Sequence, residues 1–173
     1  MLTPILEWDS KAFSFMMDYA KKQSVPAVIP NEGDTLRFGG ATVTILHCWP
    51  EGIDCGRTNG ASIVLRIDYG NTSFLFTGDA EDLSEYMMID AGVDLRADVL
   101  KVAHHGSRYS STEEFLNAVS PAYAIISCGK NNQYDHPHAE TLERLEAVGA
   151  MILRTDELGT IILKSDGESV SGV

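Results

Sequence analysis

Four of the five histidines in this 173-residue sequence fall in two short loops, His104-His105 and His136-Pro137-His138. Asp79 follows a glycine at the end of the apolar run FLFT. Imidazole and carboxylate are donors that zinc, manganese and iron accept. Polar residues gathered at strand ends are where an α/β scaffold builds a site. The chemistry they suggest is metal-assisted. Each residue also has a plain structural alternative. Asp79 suits the N-cap of a helix beginning at Ala80, and His136 the cap of a helix with Pro137 in its first turn. His104 and His105 could be loop histidines with satisfied hydrogen bonds. His47, alone within a strand, reads as structural, and His138 either orients a neighbour or faces solvent. Cys48, Cys55 and Cys128 fit neither a CxxC nor a zinc-ribbon spacing and read as buried or idle thiols.

The elements around these residues follow from period and punctuation. Asp9 or Ser10 can cap a helix over 10–23, whose apolar positions Phe13, Met16, Met17 and Tyr19-Ala20 recur at helical spacing. A short strand over 27–29 and a turn at 31–34 precede strands over 35–38 and 41–46, joined through Gly39-Gly40. Residues 50–60 read as a loop. Strands over 62–69 and 72–77 flank Gly70-Asn71, a hairpin signal. A helix over 80–91 stops at Gly92. A strand over 98–103 enters the His104-His105-Gly106-Ser107 loop. Ser111 with Glu114 forms a capping-box pattern for a helix over 112–119. A strand over 123–127, a polar loop over 129–135 and a helix over 138–148 follow. Strands over 151–154 and 160–164 read as a closing hairpin around 156–159. The whole predicts one α/β (α+β) domain over 1–173, a mixed β-sheet with helices on one outer face. A second face left exposed and apolar should be met by a second copy or another chain.

Thirteen basic against twenty-five acidic residues give a net charge of −12. Such a surface repels phosphate backbones and anionic membranes, so non-specific nucleic-acid binding and membrane binding by this chain are not expected. No run approaches the roughly 18 apolar residues of a membrane span, and the first ten residues lack a signal-peptide pattern. The compartment stays open.

The wording of the loops carries more than their composition. FLFTGDAE, ADVLKVAHHGS, Ser110-Ser111 and AIISCGKNNQYDHPHAETLERL, in this order, resemble the ComEC-like metallo-β-lactamase family. Asn59, Ser62, Gly78-Asp79, His104 to Ser107, Ser127, Gly129, Asn132 and His136-Pro137 match its motifs, and RTDELGTIIL matches its closing hairpin. The resemblance implies a partial αββα sandwich and a metal-dependent hydrolase of phosphodiesters, nuclease-like and associated with DNA uptake. It implies a divalent metal, zinc or manganese, two ions in the complete domain. Asp79 would bridge them, His105 would be a ligand in preference to His104, and His104 with His136 would contact the scissile phosphate or leaving group.

The departures matter as much. The family's first motif, His-x-His-x-Asp-His, is nowhere in this chain; the single His-x-His, at 136–138, is followed by Ala139-Glu140. Gly60 stands where the family often has a second Asn, and Asp135 where it often has Gly. The chain therefore reads as a module lacking its N-terminal half. It is expected to hold metal weakly or not at all, with the Asp79 carboxylate turning to backbone N–H groups at its helix start. Completion would come from the missing half, and a homodimer is the other expected association. A non-catalytic packing or partner-binding domain is the competing reading. If the family reading holds, Asp79 and a histidine of the pair lie within about 4 Å, with His136 on the same rim.

Overall fold

The computed structural model describes residues 1–5, 9–49 and 58–172; most of the loop read over 50–60, Cys55 included, lies outside them. Ser10 rather than Asp9 caps the first helix, α1 (Lys11–Lys22), its hydroxyl accepting the Phe13 N–H at 3.1 Å. Ala20 of α1 is buried and Phe13 and Met17 are half-buried, so one side of the helix is covered, while Phe15 is 75 % exposed. The short strand read at 27–29 reduces to one parallel bridge between Val28 and Leu2.

Seven strands then pair in sequence order: β1 (Thr35–Phe38), β2 (Ala41–His47), β3 (Val64–Tyr69), β4 (Thr72–Phe76), β5 (Val99–Lys101), β6 (Tyr123–Ile126) and β7 (Met151–Arg154). Pairs from β1 to β4 are antiparallel and those from β4 to β7 parallel. The switch follows from the connections. Gly39-Gly40, both at positive φ, make the tight turn between β1 and β2. Parallel neighbours need a crossover, and α2 (Asp82–Asp90), α3 (Glu113–Val119) and α4 (Ala139–Ala147) supply three.

Side chains alternate across a strand, and the two faces differ. Leu75, Leu100 and Ala124, in register, meet Met88 of α2, Phe115 and Leu116 of α3 and Leu145 of α4 in the buried core. On the opposite face, Leu36, Val43, Ile67, Phe74, Val99, Tyr123 and Met151 form an apolar row across all seven strands. The next row, Ile45, Leu65, Phe76, Lys101, Ile125 and Leu153, is apolar apart from Lys101. Much of this face is open: Phe38 is 82 % and Met151 55 % exposed. The expectation of a mixed sheet with helices on one outer face matches the fold, and the second face is the exposed apolar kind that a second copy or another chain would meet.

Three boundaries correct the sequence reading. β7 adds parallel to β6, so residues 151–154 and 160–164 form no hairpin. A helical turn, α5 (Thr155–Leu158), follows, and the terminal hairpin joins β8 (Lys164–Ser165) to β9 (Val170–Ser171). The cap of α3 is Thr112, not Ser111; its hydroxyl accepts the Phe115 N–H at 3.3 Å. Pro137 precedes α4 and His138 holds its N-cap position, so His136 is no cap. Among the described residues no helix is long and apolar enough to cross a membrane.

Glu85, wholly buried on α2, explains the α3 cap. Its two carboxylate oxygens accept the Ser111 N–H at 2.5 Å and the Thr112 N–H at 2.8 Å. Burial pushes its carboxyl above the ordinary glutamate value, against these bonds and the charge of Arg144, which pull it down. Glu85→Ala strands two buried donors and should cost about 2–4 kcal/mol in urea unfolding. The folded state holds this proton more tightly than the unfolded one. The stability gap between wild type and variant should therefore widen as pH falls from neutrality toward the ordinary glutamate range, and narrow as pH rises. Urea curves at several pH values read both effects.

Candidate active site

Because β4, β5 and β6 run parallel and in register, with Phe76 opposite Lys101 and Lys101 opposite Ile125, the chain leaves all three at one edge. Gly78-Asp79, His104-His105 and the 127–138 loop therefore start side by side. Backbone bonds stitch them together. The His104 N–H donates to the Gly78 carbonyl at 3.1 Å, and the His138 N–H to the Gly106 carbonyl at 2.9 Å. The Thr77 hydroxyl donates to the Lys101 carbonyl at 2.8 Å, and the Asp79 N–H to the Ser62 hydroxyl at 3.0 Å.

His104 and His105 both sit in the left-handed region, φ 46° and 57°. For residues other than glycine this costs of the order of 1–3 kcal/mol each and persists where the surroundings hold it. The holding groups are visible. Ser107 donates its N–H back to His104, and the Thr141 hydroxyl donates to the Ser107 carbonyl at 2.9 Å. Gly106, at φ 86°, lies so close to Pro137 that an added Cβ would stand 2.6 Å from the proline Cβ. His136-Pro137 is a cis peptide. Asn132 fixes the loop before it: its amide donates to the Gly129 and His136 carbonyls, and its oxygen accepts the Tyr134 and His136 N–H groups.

The four residues singled out in the sequence come together. His105 Nε2 lies 3.6 Å from the Asp79 carboxylate. Its Nδ1 is 2.6 Å from the Ser127 carbonyl, which can only accept, so Nδ1 carries a proton and in the neutral ring Nε2 presents its lone pair toward Asp79. The His136 ring lies 5.4 Å from that of His104 and 6.4 Å from that of His105. Burial, then the imidazoles of His138, His104 and His105, hold His136 below the ordinary histidine value, against the pull of Asp79. His138 accepts the Arg108 N–H at 3.2 Å and its ring sits 4.9 Å from that of His136.

His104 points to a partner that sequence reasoning passed over. Its Nδ1 is 3.4 Å from Glu81, which also accepts the Asn59 amide at 3.1 Å. The signal was in plain sight, a second acid two places after Asp79. Glu81 also occupies the N-cap position of α2. Asp79 is therefore no helix cap, and among the described residues its carboxylate finds no backbone N–H. Burial first, then Glu32 and Asp156 respectively, pushes the thiols of Cys48 and Cys128 up, which suits idle cysteines. His47, at the end of β2, is buried with its Nδ1 2.8 Å from Glu32.

Two donors 3.6 Å apart suit one divalent ion at about 2.0–2.2 Å from each. A catalytic ion normally takes three protein ligands. Among the described residues no group of three or more His, Cys, Asp or Glu side chains could hold one. The donors fit one side of a metal centre and do not complete it.

Gly106→Ala combines a strained φ with a clash on Pro137 and should destabilise by about 2–4 kcal/mol in urea unfolding, parting the two histidine loops. Nitrogen NMR of the His105 ring should report the Nδ1–H tautomer; protonation at Nε2 would refute the lone-pair assignment.

Known proteins share this pattern. A family model for the metallo-beta-lactamase superfamily matches residues 9–130. The chain is 38% identical over 146 residues to ComE operon protein 3 of Bacillus subtilis (strain 168), covering 84% of this chain and 19% of that protein. It is 43% identical over 104 residues to competence protein ComA of Neisseria gonorrhoeae, covering 60% and 15% respectively. It is 38% identical over 112 residues to recombination protein 2 of Haemophilus influenzae, covering 65% and 14%. The chain thus spans less than a fifth of the length of these curated relatives. A crystal structure from Parabacteroides distasonis ATCC 8503, described as a metal-dependent hydrolase, superposes with a TM-score of 0.53 at 14% identity, covering 80% of this chain and 61% of that one, and shares the fold. Family match, competence-protein relatives and the convergence of three motif loops on one sheet edge agree: this chain belongs to the metallo-β-lactamase superfamily.

Proposed function

We propose that this chain is part of a metal-dependent phosphodiester hydrolase whose ligand set is completed by further polypeptide carrying a His-x-His-x-Asp-His motif. The observation that carries the reading is the approach of His105 Nε2 to Asp79 at 3.6 Å, with His104 and His136 on the same rim. Asp79 and His105 would hold the ion. A bound divalent cation supplies a hydroxide from water at neutral pH and offsets charge on phosphoryl oxygens. His136, largely neutral at pH 7, would lie against a substrate oxygen, and Glu81 would fix the orientation of His104. The competence and recombination names of the relatives favour a nucleic-acid phosphodiester. The open apolar sheet face offers the completing polypeptide a surface to cover.

A second reading, a non-catalytic packing or partner-binding domain, draws on the short donor set among the described residues. One experiment separates them. Hydrolysis of bis-p-nitrophenyl phosphate with added manganese or zinc should be near background for these 173 residues alone. It should appear when the completing polypeptide is fused or added in trans, and Asp79→Ala should return it to background. Absence of turnover in the completed protein favours the second reading. Robust Asp79-dependent turnover by this chain alone would show that completion is unnecessary.

A further inference from the structure

A shallow cavity of about 270 Å³ opens beside the histidine rim, lined by His105, His136, Asn132, Tyr134 and the 127–129 segment. Pockets for drug-sized molecules begin near roughly 300 Å³, so this one takes a single ring system and not an oligomer. Its outer wall is Tyr134, which remains 64 % exposed although it sits in a loop pinned from within. The Asn132 oxygen accepts the Tyr134 N–H at 3.1 Å, and the ring lies 5.7 Å from that of His136 at an interplanar angle of 28°. The two rings form a flat, near-parallel step whose outer ring faces solvent next to the side chain proposed to meet the phosphate.

We infer that Tyr134 is a stacking platform for the nucleobase next to the bound phosphate, a base subsite built onto the hydrolytic rim; the inference rests on the phosphodiesterase reading. Stacking on an exposed aromatic face is tolerant of base identity, because every base has a π-face. That matters in a chain of net charge −12, whose overall charge disfavours attraction of a phosphate backbone. A quaternary ammonium headgroup, the other ligand that an aromatic ring attracts, is recognised by a cage of rings. Tyr134 and His136 make an open step, which suits a flat base.

Binding tests this without turnover. The 173-residue chain is titrated at about 0.15 M salt with thymidine 5′-monophosphate, inorganic phosphate or phosphocholine, following the Tyr134 and His136 ring protons by NMR. Thymidine monophosphate should move the Tyr134 ring protons upfield; inorganic phosphate should leave them in place. Tyr134→Leu should weaken thymidine monophosphate binding at least fivefold, and Tyr134→Phe should retain it. Equal effects of nucleotide and phosphate on Tyr134, unchanged affinity in Tyr134→Leu, or tighter binding of phosphocholine would each overturn the proposal. Its failure is distinguishable from that of the hydrolase reading. A completed protein that hydrolyses bis-p-nitrophenyl phosphate while Tyr134→Leu still binds nucleotide normally refutes only the base subsite. Tyr134-dependent nucleotide binding without any hydrolysis refutes only the hydrolase.

Discussion

The parallel register of β4, β5 and β6 is the constraint on which the site depends. Antiparallel neighbours send successive loops to opposite edges of a sheet; parallel neighbours send them to the same one. Asp98 anchors that register at the far end, accepting both the N–H and the hydroxyl of Ser73 on β4. At the near end the Thr77 hydroxyl bonds the Lys101 carbonyl. With both ends of the β4–β5 pair tied, Gly78-Asp79 and His104-His105 emerge as neighbours. No longer-range device is needed to bring them together.

What remains is to hold two histidines in an unfavourable backbone conformation. At about 1–3 kcal/mol each, the strain exceeds any one hydrogen bond, typically worth about 0.5–1.5 kcal/mol net. The bonds to Gly78, Ser127, His138 and Thr141 together offset it, and the contact of Gly106 with Pro137 fills the space between loops. Glu85 adds a buried tie at the far end of the same loop, where it receives Ser111 and Thr112. The loop is thus held from β4, from α2 and from the His-Pro turn, which is why a strained segment can present its imidazoles at fixed angles.

Much of this was legible in the sequence. Hairpin glycines, periodic apolar runs and the order of the loops located most elements within a residue or two, and the parallel edge brought Asp79, His104, His105 and His136 together as their strand-end positions implied. The misses share a cause. Residues 151–154 and 160–164 look locally like two strands around a turn, but the free edge of β6 captures the first, and nothing local encodes that pairing. Ser111 looked like the cap of α3 because the capping-box spacing fits. The buried Glu85, distant in sequence, takes the Ser111 N–H and shifts the cap to Thr112. The orientation of the His105 ring, which the sequence reading preferred over His104, rests on the Ser127 carbonyl, a backbone group that carries no residue signature.

Charge ties the donor set among the described residues to the phosphodiester chemistry proposed for it. Asp79 and Glu81 place two carboxylates at the rim, while burial and neighbouring rings favour the neutral form of His136. The nearby cation, Lys101, lies half-buried in the apolar row, its ammonium donating to the Val102 carbonyl at 2.8 Å; burial holds it below the ordinary lysine value, against the charge of Asp79. A phosphodiester approaching this edge meets negative charge within a surface that is itself acidic. A bound cation is often the largest local charge and inverts that balance. On the proposed hydrolase reading, Asp79 would recruit the cation, and the cation would in turn strengthen the hold on a phosphodiester.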